Sequence, residues 1–272
     1  KNQFNYVEDD TSYGSIYLDL MEKRGLGTGI EHTFELGEES DNMGELVLYL
    51  YNLKRNNNNN LYLDGQINYQ QDFENDLKLR ADLTYDGTIT PGSDNSTHVI
   101  KPDLNFSKKW EKALLTVAAK YNIRVNSEET ESQGNVKLSY DQTINDHLKS
   151  YLDILYTSDD DGDGEATDYE LRPEWVLKYA GNGYSLNLIT EKQFDLDRDR
   201  YTGENTSKIL DKLPELVFKK GSTRIKDTKI SYSVEASLGR YYEGATDQEN
   251  VRGEYIINVN RPFDLGEHMN LT

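Results

Sequence analysis

Apolar and polar side chains alternate with a period of two along most of this chain. The clearest run covers residues 77–85, where one set reads Leu77, Leu79, Ala81, Leu83 and Tyr85 and the other reads Lys78, Arg80, Asp82 and Thr84. Because successive side chains of a β-strand point to opposite faces, this run predicts a strand with one apolar and one charged face. Strands of this kind build either a soluble sheet with one wet face or a membrane barrel with a wet lumen.

The same alternation, interrupted by turn residues, predicts about fourteen strands. They cover residues 14–21, 26–36, 44–53, 60–71, 76–86, 97–107, 112–123, 134–144, 147–157, 167–179, 183–194, 207–219, 227–242 and 249–261, and a further strand begins at Met269. Short connections such as Asn145-Asp146 alternate with longer polar ones such as Ser158 to Asp168. Short turns at one end and long loops at the other are typical of transmembrane barrels.

Composition narrows the classes of function. The chain has 272 residues, no Cys and a formal net charge of −19, so disulfides and thiolate metal sites are excluded. A nucleic-acid partner is not expected, because phosphate binding needs clusters of Lys and Arg. No apolar run approaches the ~20 residues of a membrane helix, but a barrel strand needs only ~9–11 residues and hides its apolarity in alternation. We therefore expect an all-β, antiparallel, up-and-down transmembrane β-barrel in the outer membrane, in contact with membrane lipids; a soluble β protein is the alternative.

Two regions carry a family resemblance. Residues 11–34 read as a strand, an Arg24-Gly25 turn and a glycine-rich strand, and Gly44 then leads a strand rich in Tyr and Leu. Later, 184–188 runs into Gln193-Phe194, and Leu213-Pro214-Glu215-Leu216 precedes a long Tyr-rich strand. In this order, these stretches resemble the barrel domain of the lipopolysaccharide-assembly outer-membrane protein family LptD, also called organic solvent tolerance protein.

The resemblance implies a function in transport. It implies that the chain exports lipopolysaccharide or a related glycolipid to the outer leaflet, with a plug lipoprotein and periplasmic bridge proteins as partners. Residues 1–272 are expected to form a single barrel domain or the N-terminal half of a larger barrel, since nothing before Thr11 could form the family's jellyroll domain and the family's cysteine pairs are absent. Two alternatives stay open: a solute-conducting porin, and a soluble, calcium-dependent β-sheet surface or binding protein.

An acidic segment matches the spacing of a calcium loop. Residues 159–170 fit D-x-D-x-D-G-x5-E, which gives the candidate ligands Asp159, Asp161, Asp163, the backbone of Glu165, and Glu170. The segment lies between predicted strands rather than helices, and a solvated acidic loop is the alternative. Calcium is the one cofactor that the sequence suggests, and none is required by the predicted transport.

No catalytic residue is predicted. His32, His98, His147 and His268 have no short-range ligand spacing, and neither a G-x-S-x-G motif nor a P-loop occurs. Glu235 and Glu254 are expected to be solvated side chains on the lumen wall rather than an acid/base pair. Three prolines interrupt predicted strands, and each should mark an edge, a bulge or weak pairing: Pro102, Pro173 and Pro214.

Overall fold

The computed structural model of the chain describes residues 2–22, 25–37, 44–55, 60–92, 96–126, 129–160, 162, 168–196, 210–244, 246–264 and 270–271. No helix in this part of the chain has the length and apolarity needed to cross a membrane.

The described residues form β-strands joined by turns and loops. The strands are β1 (Asn2–Asp9), β2 (Ser12–Met21), β3 (Gly25–Leu36), β4 (Gly44–Lys54), β5 (Leu61–Phe73), β6 (Leu77–Ile89), β7 (Thr97–Trp110), β8 (Ala113–Val125), β9 (Thr130–Asn145), β10 (Leu148–Asp160), β11 (Asp168–Gly181), β12 (Tyr184–Glu191), β13 (Phe194–Asp195), β14 (Leu210–Arg224), β15 (Ser231–Glu243), β16 (Gln248–Asn260), β17 (Phe263–Asp264) and β18 (Asn270–Leu271).

Antiparallel ladders join sequence neighbours. A sheet of sixteen strands runs in the order β1 to β12 and then β14, β15 and β16, while β13 pairs with β11, and β17 and β18 pair separately. The prediction of an all-β, antiparallel, up-and-down sheet is therefore confirmed. In the described residues β1 pairs with β2, and β16 pairs with β15, so closure into a barrel remains a proposal.

The fourteen predicted strands are all present, with shifted ends. The predicted strand 183–194 ends earlier, at Glu191, and the short β13 follows it. The strand β1 was not predicted, because its alternation is short: Phe4 and Tyr6 are its only apolar residues on one face. The strand is defined by its hydrogen-bonded ladder to β2. The strand expected from Met269 appears as the two-residue β18, which pairs with β17 rather than with the main sheet.

The three strand prolines lie at weak points of the ladders, as predicted. Pro102 faces Leu83 on the β6 side, but the β7–β8 ladder passes from Ile100 to Asp103 without it. Pro173 precedes the first residue of the β11–β12 ladder, which begins at Glu174. Pro214 lies where the β14–β15 register shifts, between Lys212 and Glu215. A residue without an N–H donor fits these positions, because each lacks a ladder hydrogen bond.

The contacts divide the chain into two compact units. The first comprises Lys1–Leu138 and Leu155–Glu170, and the second comprises Ser139–Ile154 and Leu171–Thr272. In the first unit, the register places Ile16, Ile30 and Leu50 in one cross-strand row, and they are 48%, 45% and 53% exposed. On the opposite face of β2, Tyr17 and Asp19 are buried. In β2 the polar face is thus the more buried one.

In the second unit, β14 and β15 show the same inversion. Leu216 pairs with Leu238 across β14 and β15, and these side chains are 39% and 59% exposed. The opposite face holds Glu191 and Tyr241, which are both 8% exposed. Among the described residues of the whole chain, the buried hydrophobic side chains are Tyr17 and Tyr241 alone. The apolar strand faces therefore do not pack into a core.

Candidate functional site

Paired polar side chains cover the polar face of the first unit. Tyr51 Oη donates to Asp19 Oδ2 at 3.0 Å, and Asn68 Nδ2 donates to Asp82 Oδ1 at 2.6 Å. Lys120 Nζ lies 2.9 Å from Asp103 Oδ2, directly across the β7–β8 ladder. The last two pairs lie directly opposite on neighbouring strands, and such a cross-strand pair contributes roughly 0.2–1 kcal/mol relative to Ala–Ala. Strand alternation puts these groups on one face, and the register decides which of them meet.

Two polar cavities open on this face of the first unit. One of about 500 Å³ lies beside Tyr13 and Arg80. At its rim Tyr13 Oη donates to Glu35 Oε1 at 3.2 Å, and Gln70 Nε2 donates to Glu45 Oε2 at the same distance. The cavity offers both donors and acceptors, which is the requirement for contact with a hydroxyl-rich solute.

The second cavity has a volume of about 460 Å³. Its walls include Lys101, Arg124 and Asp159. Lys101 Nζ lies 3.8 Å from Asp86, and Arg124 Nη1 lies 3.7 Å from Glu131. These pairs leave charges of both signs in contact with water, so the cavity suits a polar rather than an apolar solute.

A buried ionic cluster joins three strands of the second unit. Glu191 lies between Arg172 Nε, at 3.2 Å, and Lys212 Nζ, at 3.0 Å. Beside it, Asp211 is 2% exposed and accepts the backbone N–H of Gln193 at 2.8 Å. Two cations around one buried carboxylate compensate its loss of hydration. The cluster therefore ties β11, β12 and β14 together on the polar face.

The predicted calcium loop is only partly described. Asp161, Asp163 and Glu165 lie outside the described residues. Asp159 Oδ2 accepts Gln133 Nε2 at 3.3 Å, and Glu170 lies on β11. Within the described ranges, no group of three or more His, Asp or Glu side chains is arranged to hold a metal. Calcium binding at this loop therefore stays a prediction.

The apolar face of the first unit carries a polar cluster that the sequence did not predict. Ser12 Oγ lies 2.9 Å from His32 Nε2, and His32 Nδ1 lies 2.6 Å from Tyr6 Oη. Ser12 and His32 are 20 positions apart in the sequence, and no motif links them. The β2–β3 register pairs Ser12 with Phe34 and Gly14 with His32, which makes Ser12 and His32 diagonal neighbours on one face. The pair could have been found from the sequence only by assuming a register for the β2–β3 hairpin.

The turn beside this cluster holds an ionised carboxylate. Asp9 lies at the β1–β2 turn, beyond the exposed apolar side chains of β2. The backbone N–H of Thr11 donates to Asp9 Oδ1 at 2.8 Å, and Thr11 Oγ1 donates to the same oxygen at 2.9 Å. These two bonds hold the pKa of Asp9 below its usual value. The turn is thus negatively charged at neutral pH.

Comparison with known proteins assigns no family. No protein-family model and no curated protein matches the chain. The LptD resemblance therefore rests on the quoted residues alone.

Proposed function

We propose that this chain forms the wall of an outer-membrane β-barrel that carries lipopolysaccharide or a related glycolipid to the outer leaflet. The observation that carries the membrane part is the inverted burial of the two faces in β2, β14 and β15. In β2, the apolar Leu18 and Leu20 are 37% and 75% exposed, whereas the polar Ser15 and Asp19 are 8% and 7% exposed.

The energetics favour lipid over water as the surroundings of the apolar face. Removing a Leu or Ile side chain from water is worth about 1.5–3 kcal/mol. Exposed apolar side chains recur along neighbouring strands, for example Leu48, Leu50, Ile67 and Leu104. A soluble sheet would leave this surface in water, and a monomeric soluble protein rarely exposes so large an apolar face. A bilayer covers it without a partner protein.

The cargo assignment rests on the resemblance and on the polar face. The Leu213-Pro214-Glu215-Leu216 run lies in β14, next to the Glu191 cluster. The sugar part of a glycolipid needs many hydrogen-bond partners, which the cavity beside Tyr13 and Arg80 offers. A plug lipoprotein and periplasmic bridge proteins are the partners that the resemblance adds.

One crosslinking experiment tests both the membrane location of the apolar face and the binding of glycolipid by the polar face. A photo-crosslinking side chain is placed at Tyr13, on the polar cavity, or at Leu18, on the apolar face, and the protein is incubated in detergent with lipopolysaccharide. We expect crosslinks to the sugar part from position 13, and crosslinks to detergent or lipid from position 18.

Three results distinguish the alternatives. Monodisperse behaviour without any detergent contradicts the membrane assignment. Ion conduction in a planar bilayer, with no crosslink from position 13, favours the porin. Crosslinks from position 13 that excess unlabelled lipopolysaccharide competes away support the glycolipid carrier.

A further inference from the structure

The apolar face of the first unit contains a serine, a histidine and a tyrosine linked in series. Ser12 Oγ lies 2.9 Å from His32 Nε2, and His32 Nδ1 lies 2.6 Å from Tyr6 Oη. Ser12 is 7% exposed and His32 is half-buried. A nucleophile within hydrogen-bond reach of a base, with the base held by a third group, is the arrangement that activates a serine hydroxyl.

One tautomer of the neutral imidazole makes His32 the base for Ser12. When the Ser12 hydroxyl donates to Nε2, the proton of the neutral ring lies on Nδ1 and is donated to the Tyr6 oxygen. The Phe34 ring, with its centroid 4.2 Å from that of His32, packs against the imidazole and restricts its rotation. In this tautomer His32 accepts from Ser12, as a general base requires.

A β-bulge brings a carboxylate to the other side of the serine. Val7 pairs with Tyr13 and Asp9 pairs with Ser12, so Glu8 is the extra residue between them. Ser12 Oγ can also donate to Glu8 Oε2 at 3.3 Å, a longer contact than the 2.9 Å to the imidazole. A bulge re-aims a side chain out of the regular alternation. The bulge thus places the Glu8 carboxylate within hydrogen-bond reach of the Ser12 hydroxyl.

The surroundings specify an apolar substrate. Ile16 and Ile30, which pair across β2 and β3 on the same face, are 48% and 45% exposed. Leu48 pairs with His32 on the next strand and is 38% exposed. A long acyl chain would bury these side chains, whereas a short or charged acyl group would gain nothing from them.

We propose that Ser12 and His32 form a catalytic pair that hydrolyses long-chain carboxylic esters, an activity beyond the transport function proposed above. Ser12 Oγ attacks the ester carbonyl carbon and its proton passes to His32 Nε2. The C–O bond to the alcohol breaks, and His32 gives the proton to the departing alkoxide. Water then attacks the acyl-serine, His32 takes the proton from the water and returns it to Ser12 Oγ, and the fatty acid leaves. Tyr6 is a positioning residue that holds the imidazole.

The test uses the full chain in detergent with a long-alkyl fluorophosphonate, and it measures both covalent labelling and the hydrolysis of p-nitrophenyl esters of increasing chain length. We expect labelling at Ser12, loss of labelling in Ser12→Ala, and at least about 100-fold slower labelling in His32→Gln, the contribution typical of a general base. Long-chain esters should be cleaved faster than acetate. In Tyr6→Phe we expect kcat to fall with KM unchanged.

Ser15→Ala is the matched control. Ser15 is on the same strand and equally buried, and its hydroxyl donates to Asn5 on β1 at 3.0 Å, but it faces the opposite side. This variant loses a comparable hydrogen bond between β1 and β2 and should keep full labelling. The circular dichroism signal of β-sheet checks that every variant is folded. Labelling that persists in Ser12→Ala, or equal losses in Ser12→Ala and Ser15→Ala, would overturn the proposal. Either outcome leaves the transport proposal intact, because the crosslinking experiment does not use these residues.

Discussion

Tyrosine rings lie over glycines at several points of the sheet. A methyl group on Gly29 would lie 2.6 Å from Tyr51 Cδ2 and 2.9 Å from the Leu50 carbonyl oxygen, and one on Gly239 would lie 2.8 Å from the Tyr241 ring. Gly14 and Tyr6 show the same relation. Covering a strand glycine with an aromatic ring protects its exposed backbone. These glycines are therefore needed for space, not for a special backbone angle.

At this scale we predict that Gly29→Ala destabilises the protein. The added methyl group must displace the Tyr51 ring. This would also disturb the hydrogen bond that the Tyr51 hydroxyl donates to the buried Asp19. Overpacking of this kind costs about 1–3 kcal/mol of the free energy of unfolding. Urea unfolding in detergent micelles, followed by the fluorescence of the two tryptophans, measures the change.

Gly221→Ala is the control, because its nearest neighbouring atom would be the Gly183 carbonyl oxygen at 3.7 Å. We expect its free energy of unfolding to stay the same or rise by less than about 1 kcal/mol. Equal losses in the two variants would contradict the packing explanation.

At the scale of elements, the Glu191 cluster holds β12 between its neighbours. Glu191 is buried and has Arg172 on β11 and Lys212 on β14 as partners. In contrast, the Lys219–Glu235 pair, at 2.5 Å across β14 and β15, has both side chains about half exposed. A buried carboxylate depends on its partners far more than an exposed one does.

We therefore predict different costs for removing the two lysines. Lys212→Met leaves Glu191 with Arg172 alone and should lower the free energy of unfolding by about 1–3 kcal/mol. Lys219→Met should lower it by less than about 1 kcal/mol, since its partner reaches water. The same urea titration compares them, and a larger loss in Lys219→Met would contradict the assigned role of the cluster.

The sequence predicted the strands well and their partners poorly. Alternation located the core of each long strand because its period is local, and the breaks at Pro102 and Pro214 followed from the missing N–H. The Ser12–His32 pair and the Glu191 cluster depend on register between strands, which alternation does not encode. Strand β1 was missed for a related reason: its few apolar residues are positioned by the ladder to β2.

At the scale of the whole molecule, the sequence left one question that the structure addresses. The alternation showed that each strand has an apolar and a polar face, but not which face is exposed. In β2 and β15 the apolar face is the more exposed, as Leu20 and Leu238 illustrate, at 75% and 59%. This inversion is the central support for a membrane protein, and it makes opposite predictions for adjacent residues of one strand.

Spin labels at neighbouring positions of β7 test this claim most directly. The chain contains no Cys, so Leu104→Cys and Asn105→Cys each take a single nitroxide. Leu104 is 41% exposed on the apolar face, and Asn105 Nδ2 donates to Asp103 on the polar face. In lipid vesicles we expect position 104 to collide with dissolved oxygen and to be shielded from a water-soluble nickel complex, and position 105 to show the reverse. Equal exposure of both positions to the nickel complex would contradict the account.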